Sequence, residues 1–222
     1  MNRTSTSPGT DVVGARDVGR SSIAVVAVLC IAVLALISSL VEMTILASGK
    51  LLVGGQTVPL DRLPQVISSR LQTGKSGSLA DAEIGLRLIS AFPSLLNAAT
   101  VALATILLVT ILRRIAEGFP FDRVALVRWK ALTLTLIIGS VAQVGAGALA
   151  FVYAAHGLGL FSLNENATTE SKIALFGADY SGINIWFPDW PLATLVAGLI
   201  ALALSAAFRS GARLLEAADG LV

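Results

Sequence analysis

Three side chains in this sequence stand where polar groups are costly. Glu42, Asn97 and Gln143 each lie inside a long apolar run. Hydrocarbon offers no water to solvate them, so such residues mark either a functional site or an interhelical hydrogen bond. Glu42 falls in the last turns of its run, within reach of interfacial water, so a solvated structural role competes with a functional one. Asn97 and Gln143 lie deeper, and hydrogen bonds between helices account for both. His156 is the single histidine; a metal site takes three or four ligands, so it reads as an interfacial or loop-contacting residue. Cys30 is the single cysteine, in mid-run, and reads as a buried, inert thiol. One cysteine excludes an intrachain disulfide and any two-cysteine redox motif. No nucleophile–base pair, phosphate loop or glycine-rich dinucleotide motif is visible, so neither an enzyme nor a metal or cofactor is expected.

A second group of chemically capable residues forms two basic motifs. One is EGFPFDRVALVRWK, with Gly118, Pro120, Phe121, Arg123 and Arg128. The other is FRSGARLLEAADGLV, with Phe208, Arg209, Gly211, Arg213, Glu216 and Asp219. Arg209 and Arg213 are four apart and share a helix face. Arg213 and Glu216 form an i,i+3 pair, worth a few tenths of a kcal/mol when exposed. The motifs fall at the same depth, so Arg123 or Arg128 can meet Glu216 or Asp219. The plain reading is membrane anchoring and helix capping; the sharper one is a docking surface for a cytoplasmic partner.

The elements that position these residues follow from composition. Hydrophobic residues make up 55% of the 222 and charged residues 14%, against about 25% charged in an ordinary soluble domain. The mean hydropathy of +0.81 agrees. A helix spanning the bilayer takes about 20 apolar residues, and four runs reach that length, at roughly 21–48, 84–115, 131–155 and 191–218. Residues 1–20, rich in Ser, Thr, Gly and charge, read as a flexible cytoplasmic tail. The first run is too long for a signal peptide and reads as an uncleaved anchor. The expected fold is therefore an all-α membrane protein, a four-transmembrane-helix bundle over residues 21–222, with a small extracytoplasmic β-hairpin layer from the two outer loops. In the first loop, LLVGGQTVPL resembles a hairpin about Gly54-Gly55, and DRLPQVISSRLQ a short amphipathic helix. In the second, KIALF and INIWF flank GADYSG as a second hairpin, and the two are expected to join as one sheet. Ala193, Ala197, Ala201 and Ser205 recur every four residues, as do Ala142, Ala146 and Ala150. Small residues let helices approach closely, so both stripes should face neighbours.

Lysine and arginine accumulate on the cytoplasmic side. The tail, the connector between the second and third runs, and the C-terminus hold Arg3, Arg16, Arg20, Arg113, Arg114, Arg123, Arg128, Lys130, Arg209 and Arg213. The longer loops hold only Lys50, Arg62, Arg70, Lys75, Arg87 and Lys172, and the second also carries Glu165, Glu170, Asp179 and Asp189. Both termini are thus expected in the cytoplasm of a cell with the protein in its inner membrane. Asn166-Ala167-Thr168 matches a glycosylation sequon on the outer side, which matters only in a host that glycosylates. The net charge of +2 is too small to suggest direct nucleic-acid binding.

The two basic motifs resemble domain-of-unknown-function family 2975, small bacterial membrane proteins with four helices. Its Gly-x-Pro-Phe element is matched by Gly118, Pro120 and Phe121. Its Phe-Arg-x-Gly-x-x-Leu element is matched by Phe208, Arg209, Gly211 and Leu214, followed by an acidic stretch closing at Val222. The family often has Glu-Asn and then Arg-Leu after Pro-Phe; here Asp122-Arg123-Val124 and Arg128-Trp129 occupy that stretch, so no role of that Asn carries over. Members are often encoded beside a small helix-turn-helix regulator, and the resemblance implies such a partner. The expected function is a sensory or regulatory module in the bilayer that docks a partner on its cytoplasmic motifs. The alternative is a small transporter or channel component, for which Glu42, Asn97 and Gln143 are few polar residues. Homo-oligomerisation stays open.

Overall fold

The computed structural model describes residues 11–71, 77–118, 122–160, 169–187 and 189–219, with the side chains of 11–22, 215–216 and 218–219 left out. In chain order the elements are α1 (Asp11–Ser48), β1 (Val66–Leu71), α2 (Ile84–Ala116), α3 (Arg123–Gly157), α4 (Thr169–Phe176), β2 (Tyr180–Ile185) and α5 (Leu192–Asp219). Among the described residues four helices are long and apolar enough to cross a membrane: Ile23–Ser48 of α1, all of α2 and α3, and Leu192–Leu214 of α5. Their outer faces carry exposed Ile31, Leu34, Leu103, Ile106, Ile138, Leu149 and Leu199, a surface suited to lipid and not to water.

Two boundaries differ from expectation. α1 begins at Asp11, so residues 11–20, read as tail, are helical. α3 begins at Arg123, so most of the expected connector is its first two turns. Between Arg123 and Lys130 no Gly or Pro interrupts a run of good helix formers, and Leu126 N–H bonds the Asp122 carbonyl at 3.0 Å. The break lies upstream, at Gly118 with φ +84°, where a left-handed residue ends α2.

The long helices pack in a row: α1 on α2, α2 on α3, α3 on α5, and among the described residues no comparable seam returns from α5 to α1. The bundle is therefore open along one side. α2 and α3 touch where Gly139 faces Thr100; a Cβ at Gly139 would strike the Thr100 side chain. α3 and α5 meet at Gly198, whose absent Cβ would lie 3.0 Å from Ile137. The expected α5 stripe is only half right. Ala201 and Ser205 are buried, whereas Ala193 and Ala197 are exposed. A strict four-residue spacing drifts about 40° per step around a 3.6-residue helix, and α5 has a single neighbour, so its contact face runs through Gly198, Ala201 and Ser205. On α3, Ala146 and Ala150 are buried and Ala142 half-buried.

The loops between α1 and α2 and between α3 and α5 lie at one end, here the sheet end. The start of α1, the end of α2, the start of α3 and the end of α5 lie at the other, the basic end. At the sheet end β1 pairs antiparallel with β2, Val66 opposite Ile185 and Leu71 opposite Tyr180. The layer is thus one two-stranded sheet with a strand from each loop, and the expected hairpins are corrected. DRLPQVISSRLQ is a single 3-10 turn at Leu60–Arg62 followed by β1, not a helix. β-Branched Val66 and Ile67 follow Pro64, and a partner strand is at hand. KIALF lies in α4. Leu175 and Phe176 are both buried, which adjacent residues on a surface strand, pointing to opposite faces, do not achieve. About Gly54-Gly55 the chain turns back with one bridge, Lys50 opposite Thr57. Leu46, Leu60, Leu63, Leu79, Leu86 and Phe176 form a core under this layer. Leu46 and Leu86 belong to α1 and α2, so the cap is seated on the helix ends.

Candidate binding cleft

Asn97 lies 13 residues into α2 and Gln143 14 residues before the end of α3, each about 20 Å from the sheet end at 1.5 Å per residue. Glu42 is 6 residues before the end of α1. The row of helices brings all three to one cleft of about 370 Å³. Ser90 and Ser94 line it on the Asn97 face of α2, Gly147 and Ala150 on the Gln143 face of α3. Gln65 lines it from the cap, and Asp189 and Pro191 border it on the side nearest α5. The floor is set by the contact of Thr100 with Gly139, three and four residues beyond Asn97 and Gln143. Beneath it Ile111, Trp129, Leu132 and Ala201 form an apolar plug from α2, α3 and α5. The buried hydroxyls of Thr100, Thr133 and Ser140 are spent on carbonyls of their own helices, at 2.7, 3.1 and 2.8 Å. The cleft thus has an apolar floor.

Its amides differ in how they are satisfied. Asn97 Nδ2 donates across the α1–α2 seam to Ser39 Oγ at 2.9 Å, and Ser39 in turn donates to the Ala35 carbonyl at 3.0 Å. Gln65 Nε2 donates to Ser90 Oγ at 2.6 Å, fastening the cap to α2. Gln143 is 8% exposed, and its Nε2 has no partner among the described residues. A buried, unmade hydrogen bond of this kind costs about 1–3 kcal/mol. Glu42 and Asp189 are both exposed at the mouth. Among the described residues no Lys, Arg or His lines the cleft, so the charged groups that border it are both carboxylates. Among the described residues no grouping of His, Cys, Asp and Glu could hold a metal ion.

Of these residues, sequence reasoning singled out Glu42, Asn97 and Gln143 and missed Gln65, Ser90, Ser94 and Asp189. A signal was present in α2: Ser90, Ser94 and Asn97 share one helix face at spacings of four and three. Gln65 and Asp189 sit in loops, and nothing local marks them.

The basic motifs lie at the other end, apart from the cleft. Arg123, Arg209 and Arg213 are exposed, Arg128 and Gly211 half-buried. Phe208 stacks on Trp129, ring centroids 5.4 Å apart and planes at 22°, so it ties α5 to α3. Pro120 and Phe121, and the side chains of Glu216 and Asp219, lie outside the described residues, as do the expected Arg213–Glu216 pair and pairs to Arg123 or Arg128. The same holds for the sequon at Asn166. Arg114 and Glu117 form an exposed ion pair at 3.5 Å, a kind worth little. Cys30 corrects its expected burial. It is exposed on α1, because that run faces away from the protein and meets only α2. His156 borders a separate apolar groove with Leu88, Phe92, Leu149 and Tyr153. Trp186 and Trp190 are exposed at the sheet end. Comparison of the chain with family models, with curated proteins and with solved structures finds no match in any of the three.

Proposed function

We propose that this protein is a sensory or regulatory membrane module, with its sheet end outside, its termini in the cytoplasm, and the cleft as its sensing site. One observation carries the reading: Glu42, Asn97 and Gln143 come from three helices to a single cleft with an apolar plug below it. A transporter needs a polar path past that plug, and a cleft with an apolar floor suits binding. The exposed Arg123, Arg209 and Arg213 offer a docking face at the opposite end, and the family resemblance makes a small helix-turn-helix regulator the expected partner. The density of Lys and Arg at that end supports its cytoplasmic side. Affinity purification from native membranes tests the reading. A small DNA-binding protein is expected with the wild type and lost with Arg209→Ala plus Arg213→Ala. Recovery of nothing, together with solute flux through the purified protein in liposomes, overturns it.

A further inference from the structure

We infer that the cleft receives a small organic cation, whose ammonium group meets Glu42 and Asp189 and whose hydrogen-bond acceptor takes the Nε2–H of Gln143. The inference rests on reading the cleft as the sensing site and adds the class of compound sensed. Two carboxylates line the cleft and, among the described residues, no cationic side chain lines it beside them, so a cation is favoured there over an anion. Gln143 supplies an independent pointer. It is 8% exposed, lines the cleft, and its Nε2 is unpartnered, whereas Gln65 and Asn97 already donate to Ser90 and Ser39. Protein interiors seldom leave such a donor idle; an acceptor on the ligand completes it. Among the described residues no third acidic, His or Cys side chain joins the pair, which leaves a transition metal short of its ligands; calcium, which also takes amide oxygens, is a control in the test below. The volume of about 370 Å³ lies near the lower end of small-molecule sites, about 300–1,000 Å³. That size admits a compound of a few carbons and excludes a peptide.

The same chemistry can arrive by two routes. A free amino alcohol would enter past Gln65 and Asp189. The ethanolamine headgroup of a phospholipid would enter sideways, because among the described residues no packed seam joins α5 to α1. The test uses the full chain in nanodiscs, with melting temperature and calorimetric titration as readouts. In pure phosphatidylglycerol, ethanolamine and choline are added at millimolar concentration, beside sorbitol, acetate and calcium chloride. A parallel set of discs contains phosphatidylethanolamine. Stabilisation by at least one free amine, or by the ethanolamine lipid, is expected. Glu42→Gln with Asp189→Asn, both at exposed positions, should weaken it about tenfold, and Gln143→Leu should weaken it while leaving the unliganded protein folded. Response to the lipid alone assigns the lipid as source; response to the free amines assigns a solute. The inference is overturned by no response in either setting, by an undiminished response in the double variant, or by calcium acting as the amines do. Binding of sorbitol or acetate that Gln143→Leu abolishes overturns the cation and spares the sensing site, whereas liposome flux overturns the sensing reading itself.

Discussion

At the basic end, Ile111, Trp129, Leu132 and Ala201 close the space between α2, α3 and α5, none more than 7% exposed. At the sheet end the helices part around a cleft of amides, hydroxyls and carboxylates, and a separate core of Leu46, Leu60, Leu79 and Phe176 lies over it. These two cores work in different solvents. The plug lies within the span of the long helices, where lipid is as apolar as leucine and only close packing holds helices together. The cap straddles the helix ends and extends beyond them, where apolar burial from water drives assembly. The contrast teaches why the cleft sits where it does. Once the cap supplies its own cohesion, the helix ends beneath it are free to stay apart.

The largest expected effect would break this contrast if it failed. Phe176→Ala, at a fully buried cap position, should cost about 3–5 kcal/mol, read as thermal melting in nanodiscs. Trp129→Ala should cost less, because lipid chains recover part of what the plug loses. Equal losses would mean that both cores obey one rule. Next comes Gly177→Val. Gly177 adopts φ +78° and a Cβ there would run into the Asp81 carbonyl, so a loss of about 1–3 kcal/mol is expected from backbone strain. It should appear as faster amide exchange at 58–71 with that at 104–115 unchanged. Gln143→Leu sharpens the comparison by its opposite sign. Removing an unpartnered buried donor should raise the stability of the unliganded protein by about 1 kcal/mol, and a drop in melting temperature would show that the amide is satisfied after all.

The smallest effect vanishes at neutral pH. Tyr180 is buried at the edge of Phe176 with its hydroxyl unpartnered among the described residues. Burial first, and the carboxylates of Asp61 and Asp81 second, push its pKa up to about 12. An unfolded tyrosine ionises near 10, so the fold favours the neutral phenol. The cap should keep its full stability below about pH 10 and lose it as pH rises through about 12. Tyr180→Phe should remove that alkaline slope from the melting curve.

The long helices were legible because length and hydropathy are local properties: α2 and α5 each lie within one residue of their expected bounds at both ends. The strand pair was not, because Ser68 and its partner Asn184 are 116 positions apart. No local pattern distinguishes VISSRL from an amphipathic helix until β2 lies beside it. The cleft was half legible. Polar residues in apolar runs announced Glu42, Asn97 and Gln143, but their convergence depends on helix rotation about the α1–α2 and α2–α3 seams. Gln65 and Asp189 are polar residues in polar loops, where nothing marks them.

The row-like packing of the helices has a consequence for biogenesis. Each long helix rests on its neighbour in the chain, so α1, α2 and α3 can associate one by one as they leave the ribosome, and α5 completes the series. The β1–β2 pair alone must wait, because one strand is made more than a hundred residues before the other. Such a long-range closure is slow compared with contacts between neighbours. The last event in assembly is then the clasping of the sheet, and until it happens the cleft has no roof. A chain halted before residue 180 would present an inserted three-helix intermediate with Gln65 unanchored by β2, a form that quality-control proteases could tell from the finished protein.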